Sequence, residues 1–218
     1  AMLPVYTKET WVANCTADTI AKAIVRIDLK KAKKLKAVGD LIFTSKGLRG
    51  PVILDFSREI TPLLEKYDEV PLLINMVKGK SEDEIFQHLK KQATLKPDAN
   101  VVELLSTLLP ASVSKELCLQ VGANLDKKFK DQDGQTRNDL VKIVANTPFT
   151  VTDSVGFKKA MITRGGVSLK EINPNTMQSK IVEGLYFCGE VMDLDGPCGG
   201  YNLQWSFSSG YLAGHLNK

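Results

Sequence analysis

Residues 184–214 leave the chain little conformational freedom. Seven of its 16 glycines fall in this stretch, so the backbone there must turn sharply or come close to something else. An apolar run, Leu185-Tyr186-Phe187-Cys188, reads as a short buried strand. It ends at Gly189-Glu190, and a loop carrying Asp193, Asp195, Gly196 and Pro197 follows. Gly199-Gly200 then opens a helix expected from about Tyr201 to Leu216.

A strand that ends in Gly-Glu places a carboxylate at its carboxyl end, where open α/β sheets take ligands. Glu190 is thereby positioned to accept hydrogen bonds from polyol hydroxyls. Gly199 and Gly200 let the backbone approach a planar or anionic group, and the free N–H groups of the following helix favour partial negative charge there. The pyrimidine edge of a flavin is such a group. On the helix, Ser206, Gly210 and Gly214 recur every four residues as a flat seam, with Leu203, Phe207 and Tyr211 as an apolar stripe beside it. Each helical glycine costs about 1 kcal/mol relative to alanine, so close packing against the seam is expected.

The rest of the chain alternates between two periods. Ala23, Val25, Ile27 and Leu29 interleave with Ile24, Arg26 and Asp28, the period-2 pattern of a half-buried strand. Strands are expected near 5–14, 22–29, 40–44 and 70–77, which suggests a small barrel or curled sheet. Pro51 at a first helical position, followed by Ile53, Phe56, Ile60, Leu63 and Leu64, predicts a helix. Ser81 and Glu84 match a capping box, and helical turns at 101–108, 112–121 and 136–145 follow, so 81–145 reads as a helical subdomain. The β pattern returns at 148–152 and at 160–163, before Gly165-Gly166.

Together these residues resemble a known family. Gly184-Leu185-Tyr186-Phe187, Gly189-Glu190, Asp193, Asp195-Gly196 and Gly199-Gly200-Tyr201-Asn202, with Gln204-Trp205 and Ser209-Gly210-Tyr211, are similar to the C-terminal signature of YhiN-type (BaiN-like) NAD(P)/FAD-dependent flavoproteins. Thr163-Arg164-Gly165-Gly166-Val167 and Gly39 to Pro51 resemble further motifs of that family. The resemblance implies an α+β chain. Residues 3–157 would be an insert domain of small β-barrel plus helical subdomain, and 158–218 the C-terminal piece of a glutathione-reductase-like FAD domain. It also implies that Gly189 and Glu190 hold the ribityl chain, while Gly199, Gly200, Tyr201 and Asn202 lie against the isoalloxazine ring. The implied activity is hydride transfer between FAD and a nicotinamide or organic substrate, with NAD(P)H as a possible second cofactor. No G-x-G-x-x-G turn for the pyrophosphate occurs in the 218 residues. The expectation is a fragment whose partner is the N-terminal FAD-binding segment, inactive alone. The rival reading is a non-catalytic module whose barrel and helices bind a partner.

Other chemistries find little support. Cys15, Cys118, Cys188 and Cys198 are far apart and only His88 and His215 accompany them, so no metal site is expected. Cys188 is expected as a buried small hydrophobe, and Cys198 lies in the loop expected beside the flavin. The two histidines are expected on helix surfaces. Asp193 and Asp195 fit loop caps as well as ligands, and Arg164 fits a substrate contact as well as a strand end. No catalytic acid or base is identifiable. The lysine run at 30, 31, 33, 34 and 36 lacks an aromatic for base stacking, so a solvated turn is expected and nucleic acid is not. No apolar run suits a membrane span and no signal segment opens the chain, so a cytoplasmic protein acting on a small molecule is expected. Ala1-Met2 reads as a tag remnant.

Overall fold

The computed structural model describes residues 2–32 and 34–215, so Lys33 and Leu216 lie outside the described residues. Contacts divide the chain into two units, one of Leu3–Val155 and one of the residues from Gly156 on with Met2.

In the first unit, β1 (Val5–Thr7), β2 (Thr19–Ile27), β3 (Lys36–Thr44), β4 (Gly47–Arg49), β5 (Val70–Asn75) and β6 (Thr147–Ser154) form a closed antiparallel barrel. The strand order is β1-β4-β3-β2-β5-β6, with β6 pairing back onto β1. After a register shift between Ile20 and Ala23, alternation from Ala23 to Ile27 of β2 buries Ala23, Val25 and Ile27 and turns Arg26 outward. Phe43 and Phe149 fill the interior from β3 and β6. The strand expected at 5–14 stops at Thr7, and Thr10–Cys15 is a 3-10 helix instead. The cause is packing. A helical turn sends Trp11, Val12 and Cys15 to one buried side, and the Trp11 ring comes 5.7 Å from Phe43 and 5.4 Å from Phe149.

Helix α1 (Pro51–Tyr67) follows β4 through Gly50, whose φ of +99° and contact with the Asp40 carbonyl admit no side chain. Val52, Ile53, Phe56 and Ile60 are its buried face, with Val52 seated on Gly39 of β3. Beyond β5 come α2 (Glu82–Leu95), α3 (Val101–Leu105), α4 (Ala111–Gln120) and α5 (Gly134–Ala145). The Ser81 hydroxyl accepts from Glu84 N while the Glu84 carboxylate accepts from Ser81 N, completing the box read from sequence. Ile85, Leu89, Leu105, Leu117 and Val144 are buried among these helices.

Among the described residues of the second unit the one α-helix is α6 (Tyr201–His215), with short 3-10 turns at Phe157–Lys159, Leu169–Glu171 and Gly189–Val191. Trp205 and Leu212 of α6 pack on a small core of Ile172, Met177 and Met192. Neither 160–163 nor 185–188 forms the expected strand. A strand needs a neighbour, and around the latter segment there is only a single bridge, Gln178 to Tyr186. Cys188 is consequently exposed, not buried as its apolar setting suggests. No described helix is long and apolar enough to cross a membrane.

Candidate functional site

The loop between residues 189 and 200 is held on α6 by its own backbone. Gly189 has φ +69°, and its N–H donates to Ser209 Oγ at 2.9 Å while its carbonyl accepts from Trp205 Nε1 at 3.3 Å. A Cβ on Gly189 would press on Ser206 Oγ at 3.3 Å. Glycine is needed here because loop backbone lies directly on the helix. The next residue, Glu190, projects from this anchor and is exposed.

Three further ties fix the loop. Val167 N donates to Val191 O at 2.9 Å and Asp193 N to Val167 O at 3.0 Å, which joins the loop to the Thr163–Val167 segment. Arg164 Nε stands 3.6 Å from Asp195 Oδ1, giving both residues an ion-pair role. The Asn202 amide clasps Gly196, accepting from its N–H at 2.8 Å and donating to its carbonyl at 2.9 Å. The side chain that the resemblance puts against the ring is therefore occupied in closing the loop.

At the mouth, Gly199 and Gly200 adopt φ of +126° and +89°, and no atom lies within 4 Å of where a Gly200 Cβ would stand. Both glycines and Tyr201 are exposed, immediately before the first turn of α6. The cradle is open, backbone-lined and next to a helix N-terminus, so the residues present fit the electron-rich edge of a flavin. Cys198 is half-buried, with its Sγ 3.5 Å from Met2 Sδ. Elsewhere on α6 the seam is unfilled, since Gly210 and Gly214 have no neighbour within 4 Å. Leu203, Phe207 and Tyr211 are 66%, 70% and 66% exposed.

Sequence reasoning missed Ser209 and Trp205 as the anchors of Gly189. Their four-residue spacing, on a different line of the helix from the apolar stripe, was the available signal. The Val167, Arg164 and Asn202 ties had no local signal.

The first unit holds a cavity of about 450 Å³ lined by residues including Thr19, Met76, Lys80, Thr107 and Leu109, and none of the expected site residues borders it. Close by, His88 Nε2 lies 2.8 Å from Thr107 Oγ1. The Thr107 hydroxyl already donates to Leu104 O, so the imidazole must supply the hydrogen. Burial, then the Lys80 and Lys91 charges, push the His88 pKa down. Desolvation pushes the buried thiols up, Cys15 to about 11 and Cys118 to about 12, which makes them poor nucleophiles. No group of residues that could hold a metal occurs among the described residues.

Comparison with known proteins places these features in one family. Residues 15–216 match the model of the HI0933-like protein Rossmann domain. The chain is 29% identical over 196 residues to a 3-dehydro-bile acid delta(4,6)-reductase of Clostridium scindens, covering 87% of this chain and 48% of that protein. It is 36% identical over 171 residues to a ribosomal RNA dihydrouridine synthase of Haemophilus influenzae, covering 78% of this chain and 40% of the relative. The protein of that name from Escherichia coli is 30% identical over 172 residues, with 79% and 40% covered. The chain thus spans less than half the length of these curated relatives.

Proposed function

Because this chain belongs to the HI0933-like Rossmann family, we propose that it carries the ring-facing half of an FAD site in a reductase of carbon–carbon double bonds conjugated to a carbonyl. The observation that carries the reading is the open Gly199–Gly200 cradle before α6. The flavin, when bound, supplies the two-electron chemistry. The chain's own residues bind and orient. Gly199, Gly200 and Tyr201 face the ring edge, Gly189 and Glu190 meet the ribityl hydroxyls, and Asn202 holds the loop that presents them. On this reading residues 3–157 are an insert, and the pyrophosphate grip belongs to a segment outside the 218 residues. The exposed stripe of Leu203, Phe207 and Tyr211 then packs against that segment.

The bond type follows from the relatives' names. A delta(4,6)-reductase and a dihydrouridine synthase both saturate a C=C bond, and in uridine the 5,6 double bond is conjugated to a ring carbonyl. A hydride adds to the carbon distal to the carbonyl and a proton to the proximal one, with a reduced nicotinamide as the natural electron source.

The test is a titration of the purified 218-residue chain with FAD, followed by flavin fluorescence, alongside the intact polypeptide. The chain alone should bind more weakly than about 1 μM, roughly −8 kcal/mol, because it lacks pyrophosphate contacts and walls that exclude water. The intact polypeptide should hold FAD and lose it on Gly200→Val. Undiminished flavin in that variant, or tight binding by the chain alone, would overturn this division of the site. An intact polypeptide that never binds flavin would favour the partner-binding module instead.

A further inference from the structure

The barrel's ladder has a gap. β2 pairs with β3 from Thr19 to Arg26 but with β5 only from Ile24 to Ile27, so among the described residues no strand covers Thr19 to Ala23 on the side away from β3. Two local features cause this. The register shift between Ile20 and Ala23 sets Ala21 and Lys22 against the single residue Asp40, and such bulges interrupt pairing at barrel rims and beside binding sites. Beyond β5 the chain turns away from β2, because Asn75 Oδ1 accepts from Val77 N at 3.0 Å and from Gly79 N at 2.9 Å, while Asn75 Nδ2 donates to Lys80 O at 3.0 Å. That turn holds Lys78 at φ +58°, a left-handed conformation that is unfavourable for a lysine.

The gap is one wall of the cavity of about 450 Å³. Thr19 and Ala21 are exposed along it, and an uncovered strand edge presents N–H and C=O groups in register for another chain. Ile20, Met76, Val77 and Leu109, all buried, supply its apolar lining. Lys78 and Lys80 border it, and no Asp or Glu does so among the described residues. Nearby acids are otherwise engaged. Glu84, whose carboxylate feels the Lys80 charge, accepts from Ser81 N at 2.8 Å and Ser81 Oγ at 2.9 Å, and Asp18 accepts from Ser112 Oγ. Glu82 and Asp83 share a separate cleft with Lys80 and lie in the first turn of α2, where the helix dipole favours their charge.

We propose that this gap is a docking site for an extended acidic peptide, which adds a short strand to β2 at Thr19–Ala21. An aliphatic side chain of the peptide enters the cavity beside Ile20, Met76 and Leu109, and a carboxylate faces Lys78 and Lys80. Each feature selects one property of the occupant. An open strand edge takes backbone amides, which a fatty acid or a simple anion lacks, while the pocket beside it reads alternate side chains. Two cations at the rim select negative charge and exclude a basic segment. The site lies wholly within the first unit and needs no flavin, so it is independent of the reductase reading.

The experiment measures anisotropy of a labelled hexapeptide of alternating Val and Glu with the 218-residue chain, together with amide NMR of the complex. Saturable binding should shift the Thr19 and Ala21 amides and leave those of Val5 and Leu48, on the far side of the barrel, in place. Methylating the peptide's backbone nitrogens should weaken binding more than about fivefold, since the strand bonds are lost while the side chains stay. Lys78→Gln/Lys80→Gln should weaken it about 2- to 30-fold and flatten its salt dependence, with thermal unfolding unchanged because neither residue is in the core. No saturable binding, equal affinity for the methylated peptide, or equal affinity for a peptide of alternating Val and Lys overturns the proposal. Decanoate binding at the Thr19 and Ala21 amides with no binding of the peptide also overturns it, and gives the cavity to an aliphatic anion.

Discussion

Gly166→Ala tests whether the Thr163–Val167 segment positions the glycine loop. Gly166 has φ +152°, and a Cβ there would overlap the Val191 carbonyl oxygen and stand 3.0 Å from the Met192 carbonyl carbon. Those are backbone atoms, so they cannot move aside as a flexible side chain would. Relief requires the segment to draw away, which breaks the Val167 N to Val191 O bond of 2.9 Å and the Asp193 N to Val167 O bond of 3.0 Å. At about 0.5–1.5 kcal/mol each, the local loss is about 1–3 kcal/mol. Amide exchange reads this directly, since about 1.4 kcal/mol is tenfold in an equilibrium. Protection at Val167 and Asp193 should fall about 5- to 150-fold, while Leu72 and Ile74 in β5 keep theirs. Flavin retained by the intact polypeptide should fall in step. Unchanged protection at both amides would refute the claim that this contact holds the loop.

Two other outcomes follow from the first unit. Phe149→Ala removes a ring that is 1% exposed and lies tilted 5.4 Å from Trp11 and 6.5 Å from Phe43, so chemical denaturation followed by tryptophan fluorescence should show a loss of about 3–5 kcal/mol; a loss under about 1 kcal/mol would mean that these rings do not form the barrel's core. The native pKa of His88 is depressed below its unfolded value of about 6.5, so in that window the unfolded state binds more protons. Its contribution to stability is present above the unfolded pKa and is lost as pH falls through the native one. An NMR titration of the His88 ring with a midpoint at or above the unfolded value would contradict this.

Much of the barrel unit was legible because its signals are local. Ser81 and Glu84 are three residues apart, Pro51 marks a helix start by its missing N–H, and β2 alternates at every position from Ala23 to Ile27. Legibility failed where tertiary packing overrode propensity. Thr10, Trp11 and Val12 favour a strand, yet one helical turn buries Trp11, Val12 and Cys15 together, and burial of a tryptophan outweighs a propensity of under about 1 kcal/mol. β4 was missed because three residues carry no period. At the site, composition pointed to glycines and acids in the loop but not to their couplings. Arg164 and Asp195 lie 31 positions apart, and only the folded loop brings them together.

The same contrast bears on how the proposed site would assemble. The barrel unit completes its own core, with Val25, Leu41, Phe43, Leu72 and Phe149 all at 1% exposure or less. The second unit has three buried apolar side chains in its cluster and leaves Leu203, Phe207 and Tyr211 in solvent on one line of α6. Fully burying three such side chains from water stabilises by about 1.5–3 kcal/mol each, and about two thirds of their surface is still open, so about 3–6 kcal/mol is available to whatever covers that face. Set against the total stability of a domain, about 5–15 kcal/mol, this is a large share. The loop's hydrogen bonds to Ser209, Trp205, Val167 and Asn202 are made within the chain and need no partner. On the proposed reading the hydrophobic half of the same helix takes one. A flavin site built this way has its ring cradle preformed and its walls supplied on docking, so on the proposed reading α6 couples cofactor binding to the covering of its apolar stripe. Leu203→Asp/Phe207→Asp in the intact polypeptide should therefore release FAD although neither residue belongs to the Gly199–Gly200 cradle. Full flavin content in that double variant would uncouple the two faces of α6.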